Sequence, residues 1–180
     1  MSDAFHVVSS TPLLHSHVFD VERISVAHAG ETFERDVARH RGAVAILAIN
    51  DAGEVGVLHQ YRATVDRVTL EIPAGTCDVS GEELLATAQR ELREELGCEA
   101  RAWRPLIQVM VSPGWTDQLM TIFEARELTM LERAPEGPEE SASRIDWLSE
   151  AQLREALRRE PALDATMTVA LNRVFGTLFD

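Results

Sequence analysis

The sequence contains no lysine, a single tyrosine and only two cysteines among its 180 residues. The cysteines, Cys77 and Cys98, form no CxxC or Cys/His pair, so their spacing excludes a zinc site or a disulfide framework. We expect both thiols to be reduced, with Cys98 packed as a small apolar residue. All 17 basic residues are arginines, permanent cations whose planar fork suits phosphates and carboxylates.

The chain also lacks long apolar runs and an excess of positive charge. Its longest apolar segment, Gly42–Ile49, is far short of the roughly 20 residues that span a bilayer, and no charged leader precedes an apolar stretch. The net charge of −13 argues against binding to nucleic acid or anionic membranes. We therefore expect a soluble, cytoplasmic protein with a single domain over residues 1–180.

The first part of the chain alternates between apolar and polar residues in a way that predicts two β-hairpins. The first spans His15–Ala38, with a turn at Ala29-Gly30. In the second, Ala43–Asn50 and Val55–Arg62 flank the turn Asp51–Glu54. Ala43–Asn50 is apolar on both faces, which is typical of a central strand.

Shorter strands and two helices follow. Val68–Gly75 predicts a strand that stops at Pro73, because proline removes a ladder donor. The remaining predicted strands are Trp103–Met110, Gln118–Thr129 and Ser143–Ser149, with a loop at Glu132–Ser141 and closing helices at Glu150–Arg159 and Asp164–Phe175. Strands around one early helix, with helices at the end, predict an α/β (α+β) fold with a mixed sheet.

The early helix is predicted over Gly81–Leu96. Ser80 and Glu83 fit the capping-box form S-x-x-E, and Gly97 is a suitable C-terminal glycine. At about 100° per residue an apolar stripe forms that is expected to dock on the sheet. Its members are Leu85, Ala88, Leu92 and Leu96.

Three carboxylates lie beside this stripe. Glu91 and Glu95 are four residues apart and Glu94 lies next to them, at the boundary between core and solvent. One interpretation is a solvated face balanced by Arg90. The other is a metal site, because like charges at a half-buried edge repel unless a cation neutralises them, and Mg²⁺ prefers such oxygen ligands. The turn before the helix offers a further ligand in the carbonyl of Ala74.

These residues resemble the Nudix box, G-x5-E-x7-R-E-U-x-E-E-x-G-U, where U is a bulky aliphatic residue. The matching positions are Gly75, Glu82, Arg90, Glu91, Leu92, Glu94, Glu95 and Gly97. The chain departs from the pattern twice, because six residues rather than five separate Gly75 from Glu82, and Cys98 replaces the last aliphatic residue. The extra residue lies in a loop, where additional length costs little.

The resemblance implies a Nudix-type α/β/α sandwich and a metal-dependent hydrolase. Glu91, Glu94 and Glu95 would hold Mg²⁺, or alternatively Mn²⁺, against a pyrophosphate while water attacks phosphorus. Arg90 is expected to orient the glutamates. Catalytic residues are thus predicted at Arg90, Glu94 and Glu95, and metal ligands at Ala74, Glu91, Glu94 and Glu95.

Around the box the chain resembles the ADP-ribose pyrophosphatase branch, in "QYR" at 60–62, "EIPAG" at 71–75 and "SPG" at 112–114. This implies hydrolysis of ADP-ribose to AMP and ribose 5-phosphate. Substrate-binding residues are predicted by the resemblance at Arg62, Glu71, Pro113, Gly114, Trp115 and Gln118. The branch commonly carries a glutamate where this chain has Gln118, and Asp117 is a possible substitute. Trp115 would stack on a base or sugar, or else cap the core.

The resemblance also implies an acidic residue late in the chain that binds metal or activates water, for which Glu139 and Glu140 are the candidates. The N-terminal strands, about residues 1–40, are expected to form a homodimer, and about 41–180 the catalytic fold. The alternatives are another nucleoside diphosphate sugar such as GDP-mannose, a broad specificity, or an inactive ligand-binding protein.

Overall fold

The structure is a computed structural model that describes residues 4–176. The strands in this range are β1 (His6–His15), β2 (Phe19–His28), β3 (Glu31–His40), β4 (Ala43–Ala48), β5 (Val55–Arg62), β6 (Arg67–Glu71), β7 (Ala74–Thr76), β8 (Cys98–Met110), β9 (Leu119–Met130) and β10 (Arg144–Leu148). The helices are α1 (Leu84–Leu96), α2 (Gly137–Ala142), α3 (Glu150–Arg159) and α4 (Ala165–Phe175). None of these helices is both long and apolar enough to cross a membrane.

The N-terminal strands form an antiparallel sheet in the order β1-β2-β3. The predicted first hairpin is confirmed, since β2 and β3 pair around Ala29 (φ 49°) and Gly30 (φ 87°). Positive φ at both turn residues matches the twist of the flanking strands. Strand β1 was not predicted, because register shifts between Val7 and Ser9 and between Pro12 and Leu14 break the alternation that would reveal it.

The second predicted hairpin is wrong. Strand β4 belongs to a mixed sheet ordered β7-β4-β9-β8, whereas β5 belongs to a sheet ordered β10-β5-β6. Only an isolated bridge between Ile49 and Val55 joins them. The turn itself forms, since the Asn50 side chain accepts hydrogen bonds from the amides of Ala52 and Glu54. Both edges of β4 are occupied by β7 and β9, so β5 diverges after the turn.

The central position of β4 is confirmed, and its two faces separate two apolar clusters. Ala45 and Leu47 pack with residues of α3 and α4, whereas Val44 and Ile46 pack with Leu92 and its neighbours on α1. Each fully buried leucine or isoleucine contributes about 1.5–3 kcal/mol to stability. Helices thus cover both faces of this sheet, which gives the expected α/β/α sandwich.

The closing helices begin where the sequence predicts them. Ser149 and Gln152 form a capping box at α3, and the Asp164 carboxylate accepts a hydrogen bond from the Met167 amide at α4. The predicted loop over Glu132–Ser141 contains the short helix α2, which the sequence did not indicate because two prolines and a glycine interrupt the segment.

Helix α1 begins three residues later than predicted. Glu83 is its N-cap and makes no side-chain capping bond, so the capping box with Ser80 is wrong. Gly81 has φ 80° and turns the loop just before Glu82 instead. Leu85 is 38% exposed, because the buried part of α1 begins at Thr87. The C-terminal prediction is confirmed, since Gly97 adopts the left-handed conformation (φ 62°).

Candidate active site

The turn between β6 and α1 forms one wall of the site. The Ile46 amide donates to the Pro73 carbonyl at 2.8 Å, and Val44 pairs with Gly75. Because hydrogen-bonded pairs alternate in an antiparallel ladder, the polar backbone atoms of Ala74 point away from β4. The Ala74 amide donates to Oε2 of Glu95 at 2.8 Å. The Ala74 carbonyl, the predicted metal ligand, therefore lies on the open edge of β7.

Gly75 brings this turn into direct contact with α1. A Cβ atom at this position would overlap the carboxylate of Glu91. The overlapping atoms are the end of the Glu91 side chain, so a side chain at position 75 would push this carboxylate aside. The first glycine of the box therefore sets the distance between β7 and Glu91.

Glu91 and Glu95 are buried more deeply than the sequence predicted. They are 7% and 3% exposed, respectively, whereas a boundary position was expected. Burial raises the pKa of Glu91 to about 7 and that of Glu95 to about 8. The Glu94 pKa is also raised by burial. The site therefore favours protonated carboxyls unless a nearby cation compensates for their charge.

Arg90 is a cation that pairs with two of these glutamates, Glu91 and Glu94. Its Nη1 donates to Glu91 Oε1 at 2.8 Å and to Glu94 Oε2 at 3.0 Å. Its Nη2 lies 3.5 Å from both Asp78 and Glu82 carboxylate oxygens. The contacts expected of an orienting arginine are present, and Glu82 supports Arg90 from the loop before α1.

The donor atoms of this region suit a hard divalent cation. They are carboxylate oxygens and the Ala74 carbonyl, which Mg²⁺ and Mn²⁺ prefer. Within residues 4–176, however, no three His, Cys, Asp or Glu side chains already converge as a metal site. Glu91 and Glu94 bind Arg90 and Glu95 binds the Ala74 amide. Each of these bonds uses one oxygen of a carboxylate, so the other oxygen of each glutamate can face a metal while Arg90 and the Ala74 amide stay bound.

Arg62 and Glu71 lie at a cleft of about 330 Å³ that also includes Ala74 and Asp164. Arg62 Nε donates to Glu71 Oε1 at 2.9 Å, and Nη2 binds the other Glu71 oxygen. This pairing raises the Arg62 pKa, as do the charges of Glu95 and Glu139. Arg62 and Glu71 therefore lie close to both α1 and α2, and Ala74 lines the same cleft.

The two candidate acidic residues of α2 have different surroundings. The charge of Glu140 raises the pKa values of Glu91, Glu94 and Glu95, so this residue is within electrostatic range of all three. Its carboxylate also accepts a hydrogen bond from the Glu136 amide at 2.7 Å. Glu139 is exposed, and its charge acts on Arg62 instead.

The loop over residues 111–118 is fastened to the end of β3. The Ala38 amide donates to the Trp115 carbonyl at 2.8 Å. The Asp117 carboxylate accepts hydrogen bonds from the His40 amide at 2.9 Å and from Arg39 Nη1 at 3.2 Å. Asp117 is therefore engaged in holding the loop.

The other predicted residues of this loop differ in exposure. Pro113 and Gly114 form its exposed tip, and Trp115 is 58% exposed, so the tryptophan does not cap the core. Gln118 is half-buried and its backbone bonds Val111 and Thr116. Among the described residues, no hydrogen bond or ion pair joins this loop to Arg62 or Glu71.

Two residues near the site were not predicted. Asp164 was expected only as the start of a helix, yet it lines the cleft, and burial raises its pKa. Arg133 binds the Glu95 carbonyl and the backbone of Glu140. A lone arginine in a loop has no local pattern that would have identified it, because its partner on α1 lies 38 residues earlier in the chain.

Comparison with known proteins places this geometry in a family. The sequence model of the NUDIX domain matches residues 39–169, which include every residue of the site described above. The chain belongs to the Nudix family. As a Nudix hydrolase, it acts in a family that generally uses divalent metal cations.

The relatives of this Nudix hydrolase agree with its sequence pattern. It is 37% identical over 158 residues to an ADP-ribose pyrophosphatase of Mycobacterium tuberculosis (strain ATCC 25618 / H37Rv), covering 87% of this chain and 76% of the relative. It is 34% identical over 151 residues to an ADP-ribose pyrophosphatase of Bacillus subtilis (strain 168), covering 84% and 77%, respectively. A methanol dehydrogenase activator of Bacillus methanolicus is 38% identical over 105 residues, which cover 58% of this chain and 56% of the relative.

A solved structure supports the fold independently. The crystal structure of an ADP compounds hydrolase superposes on this Nudix hydrolase with a TM-score of 0.81. The match covers 95% of this chain and 92% of the other at 22% sequence identity. At this level of identity the likeness concerns the fold alone.

Proposed function

We propose that this Nudix hydrolase cleaves the pyrophosphate of ADP-ribose to AMP and ribose 5-phosphate, in a reaction that depends on Mg²⁺. The observation that carries the proposal is the burial of Glu91 and Glu95 beside the open carbonyl of Ala74. Such a concentration of buried carboxylates is costly without a bound cation. The two ADP-ribose pyrophosphatase relatives support the choice of substrate.

Glu91, Glu94, Glu95 and the Ala74 carbonyl would hold the metal. When bound, Mg²⁺ supplies charge neutralisation for the pyrophosphate. Arg90 holds Glu91 and Glu94 in place. Arg62, kept in its orientation by Glu71, provides the permanent cation for a phosphate group in the adjoining cleft.

Glu140 is the residue that we propose as the base for the attacking water. Its charge acts on all three α1 glutamates, whereas that of Glu139 acts on Arg62. The water oxygen forms a bond to one phosphorus while the bridging P–O bond breaks, and Glu140 accepts the water proton. Glu140→Gln should therefore lower kcat by about 100-fold or more, and Glu139→Gln by much less. If Glu139→Gln instead lowered kcat more than Glu140→Gln, the role of the base would belong to Glu139.

A broader specificity towards nucleoside diphosphate sugars is the second candidate. Gln118 carries no charge, and the Asp117 carboxylate is engaged by Arg39 and His40. The loop therefore offers no unengaged acidic group to a ribose hydroxyl at these two positions. This observation favours modest rather than strict selection for ADP-ribose.

A substrate screen with a metal-site variant tests the proposal. ADP-ribose, GDP-mannose, NADH and diadenosine polyphosphates are incubated with Mg²⁺, and phosphate is measured after a coupled phosphatase. We expect the highest rate with ADP-ribose, and Glu94→Gln should lower it by about 100-fold or more. Glu99→Gln is the matched control, because Glu99 is exposed and, within the part of the chain that the structure describes, pairs with Arg93 alone. Equal rates on all substrates would favour the broad specificity, and a fully active Glu94→Gln variant would contradict the metal site.

The N-terminal sheet is proposed as the dimer contact. All ten residues of β1 are exposed, including the apolar side chains of Val7, Val8, Leu13 and Leu14. An edge strand with exposed apolar residues tends to pair with another chain. We therefore expect a homodimer, which light scattering coupled to size exclusion measures. A monomeric mass at micromolar concentration would refute this proposal.

A further inference from the structure

Arg133 joins three separate segments beside the active site. Its Nε donates to the Glu95 carbonyl at 2.7 Å, in the last turn of α1. Its Nη2 donates to the Glu140 carbonyl at 2.9 Å and to Ser143 Oγ at 2.6 Å, while Nη1 donates to the Ser143 carbonyl at 3.2 Å. One guanidinium group thus connects the end of α1, the helix α2 and the residue before β10.

The contact with α1 uses a backbone group that the helix leaves without a partner. The last four carbonyls of a helix have no intrahelical donor, and Glu95 contributes one of them. A positive charge is also favourable at this end of the helix dipole. Arg133 is half-buried, so these charge-assisted hydrogen bonds are partly shielded from water.

Gly97 allows the Arg133 segment to approach the helix end. A Cβ on Gly97 would lie 3.0 Å from the Leu131 carbonyl oxygen and 3.1 Å from both Cα and N of Arg133. The Leu131 amide donates to the Gly97 carbonyl at 2.6 Å. The last glycine of the box therefore serves two purposes, since it ends α1 and admits the segment after β9 that carries Arg133.

We propose that Arg133 is a positioning residue that fixes Glu140 beside the metal-binding glutamates of α1. It binds the backbone of Glu140 and of Glu95 directly, so a single side chain links these two residues. A displacement of about 1 Å in a catalytic group lowers rates by about 100-fold. This inference rests on the proposed hydrolase function and on the role of Glu140 in it.

Arg133→Lys is the main test. A lysine ammonium is a single nitrogen and cannot bind Glu95, Glu140 and Ser143 in this arrangement. We expect kcat for ADP-ribose to fall by about 10- to 100-fold with a much smaller change in KM. Amide hydrogen exchange should become faster over 137–142 and stay unchanged in the middle of α1. Arg158→Lys is the matched control, because Arg158 forms an exposed ion pair on α3 and should change neither quantity.

Two further variants separate positioning from a general loss of structure. Ser143→Ala removes only the side-chain contact and should change kcat and exchange in the same direction but less. In a Glu140→Gln background, Arg133→Lys should lower kcat little further, because the group that it positions has already lost its function. The inference would be overturned if the kcat losses of Arg133→Lys and Glu140→Gln multiplied in the double variant. It would also be overturned if amide hydrogen exchange over 137–142 stayed unchanged in Arg133→Lys. A wild-type protein without pyrophosphatase activity would instead contradict the proposed function. The exchange measurement would still test whether Arg133 holds α2 against the end of α1.

Discussion

Replacing Glu95 by glutamine should make the metal-free protein more stable at alkaline pH and less active. The carboxyl group is 3% exposed, and its pKa is raised from the ordinary 4.5 to about 8 by burial. Glutamine has nearly the same shape and can accept the hydrogen bond that the Ala74 amide donates to Glu95. The substitution therefore removes the buried charge and leaves the packing in place.

The direction of the pH dependence follows from the raised pKa. Between about pH 4.5 and 8 the folded wild-type protein keeps a proton that the unfolded chain has released, so its free energy of unfolding decreases as pH rises. At about 1.4 kcal/mol per pH unit, the complete effect is about 4–5 kcal/mol above pH 8. The amide of the new glutamine needs an acceptor for its N–H donors. This requirement reduces the gain in stability by about 1–3 kcal/mol. We expect a net stabilisation of about 2 kcal/mol near pH 9.

Urea unfolding in EDTA, followed by circular dichroism near pH 4.5 and near pH 9, measures the difference. The variant should be more stable than wild type only at the higher pH, and addition of Mg²⁺ should reduce its advantage because the metal stabilises the wild-type carboxylate. Turnover of the variant should fall by about 100-fold or more. A variant that is less stable than wild type at high pH, or a difference that does not change with pH, would refute the buried-charge argument.

Three further outcomes are expected. Gly75→Ala should lower turnover by about 10- to 100-fold, because the new Cβ displaces the Glu91 carboxylate. A thermal melt checks that the variant stays folded. Unchanged turnover would contradict the close approach of Gly75 to Glu91. Asp117→Ala should raise KM more than it lowers kcat, since the 111–118 loop loses its side-chain bonds to Arg39 and His40 and keeps only its backbone bonds to β3, whereas Asp36→Ala, which loses an exposed ion pair, should not. Below about pH 8, Mg²⁺ binding should release protons, because Glu95 must ionise to bind the metal. Calorimetric titration in two buffers of different ionisation enthalpy should therefore give different heats of binding. Equal heats would argue against the release of protons.

The parts of the fold that the sequence predicted are those that local patterns determine. Helices α3 and α4 lie where the sequence predicts them and begin at caps formed by nearby residues, and Gly97 marks the end of α1. The apolar run of β4 indicates a strand buried on both faces, and the structure buries every one of its residues. In each case neighbouring residues carry the whole signal, so no distant contact is needed to interpret it.

The errors occur where a distant partner decides the outcome. Leu85 continues the apolar stripe of α1, but the buried part of the helix begins two residues later, so Leu85 is exposed. The turn before β5 has the composition of a hairpin, yet β4 pairs with β7 and β9 and leaves no edge for β5. Hydrophobic periodicity indicates which face an element can bury, but it does not identify the surface that covers it.

The candidate site also has features that local sequence sets and features that depend on distant contacts. By itself, the sequence determined the spacing that places Glu91, Glu94 and Glu95 together on one helix, because helical geometry fixes the relation of residues three and four positions apart. Only the tertiary structure decided how deeply these carboxylates are buried, because that depth depends on the contact between β7 and α1 at Gly75. It also decided that Arg133 joins α1 to α2, since its partners come from segments that meet only after folding.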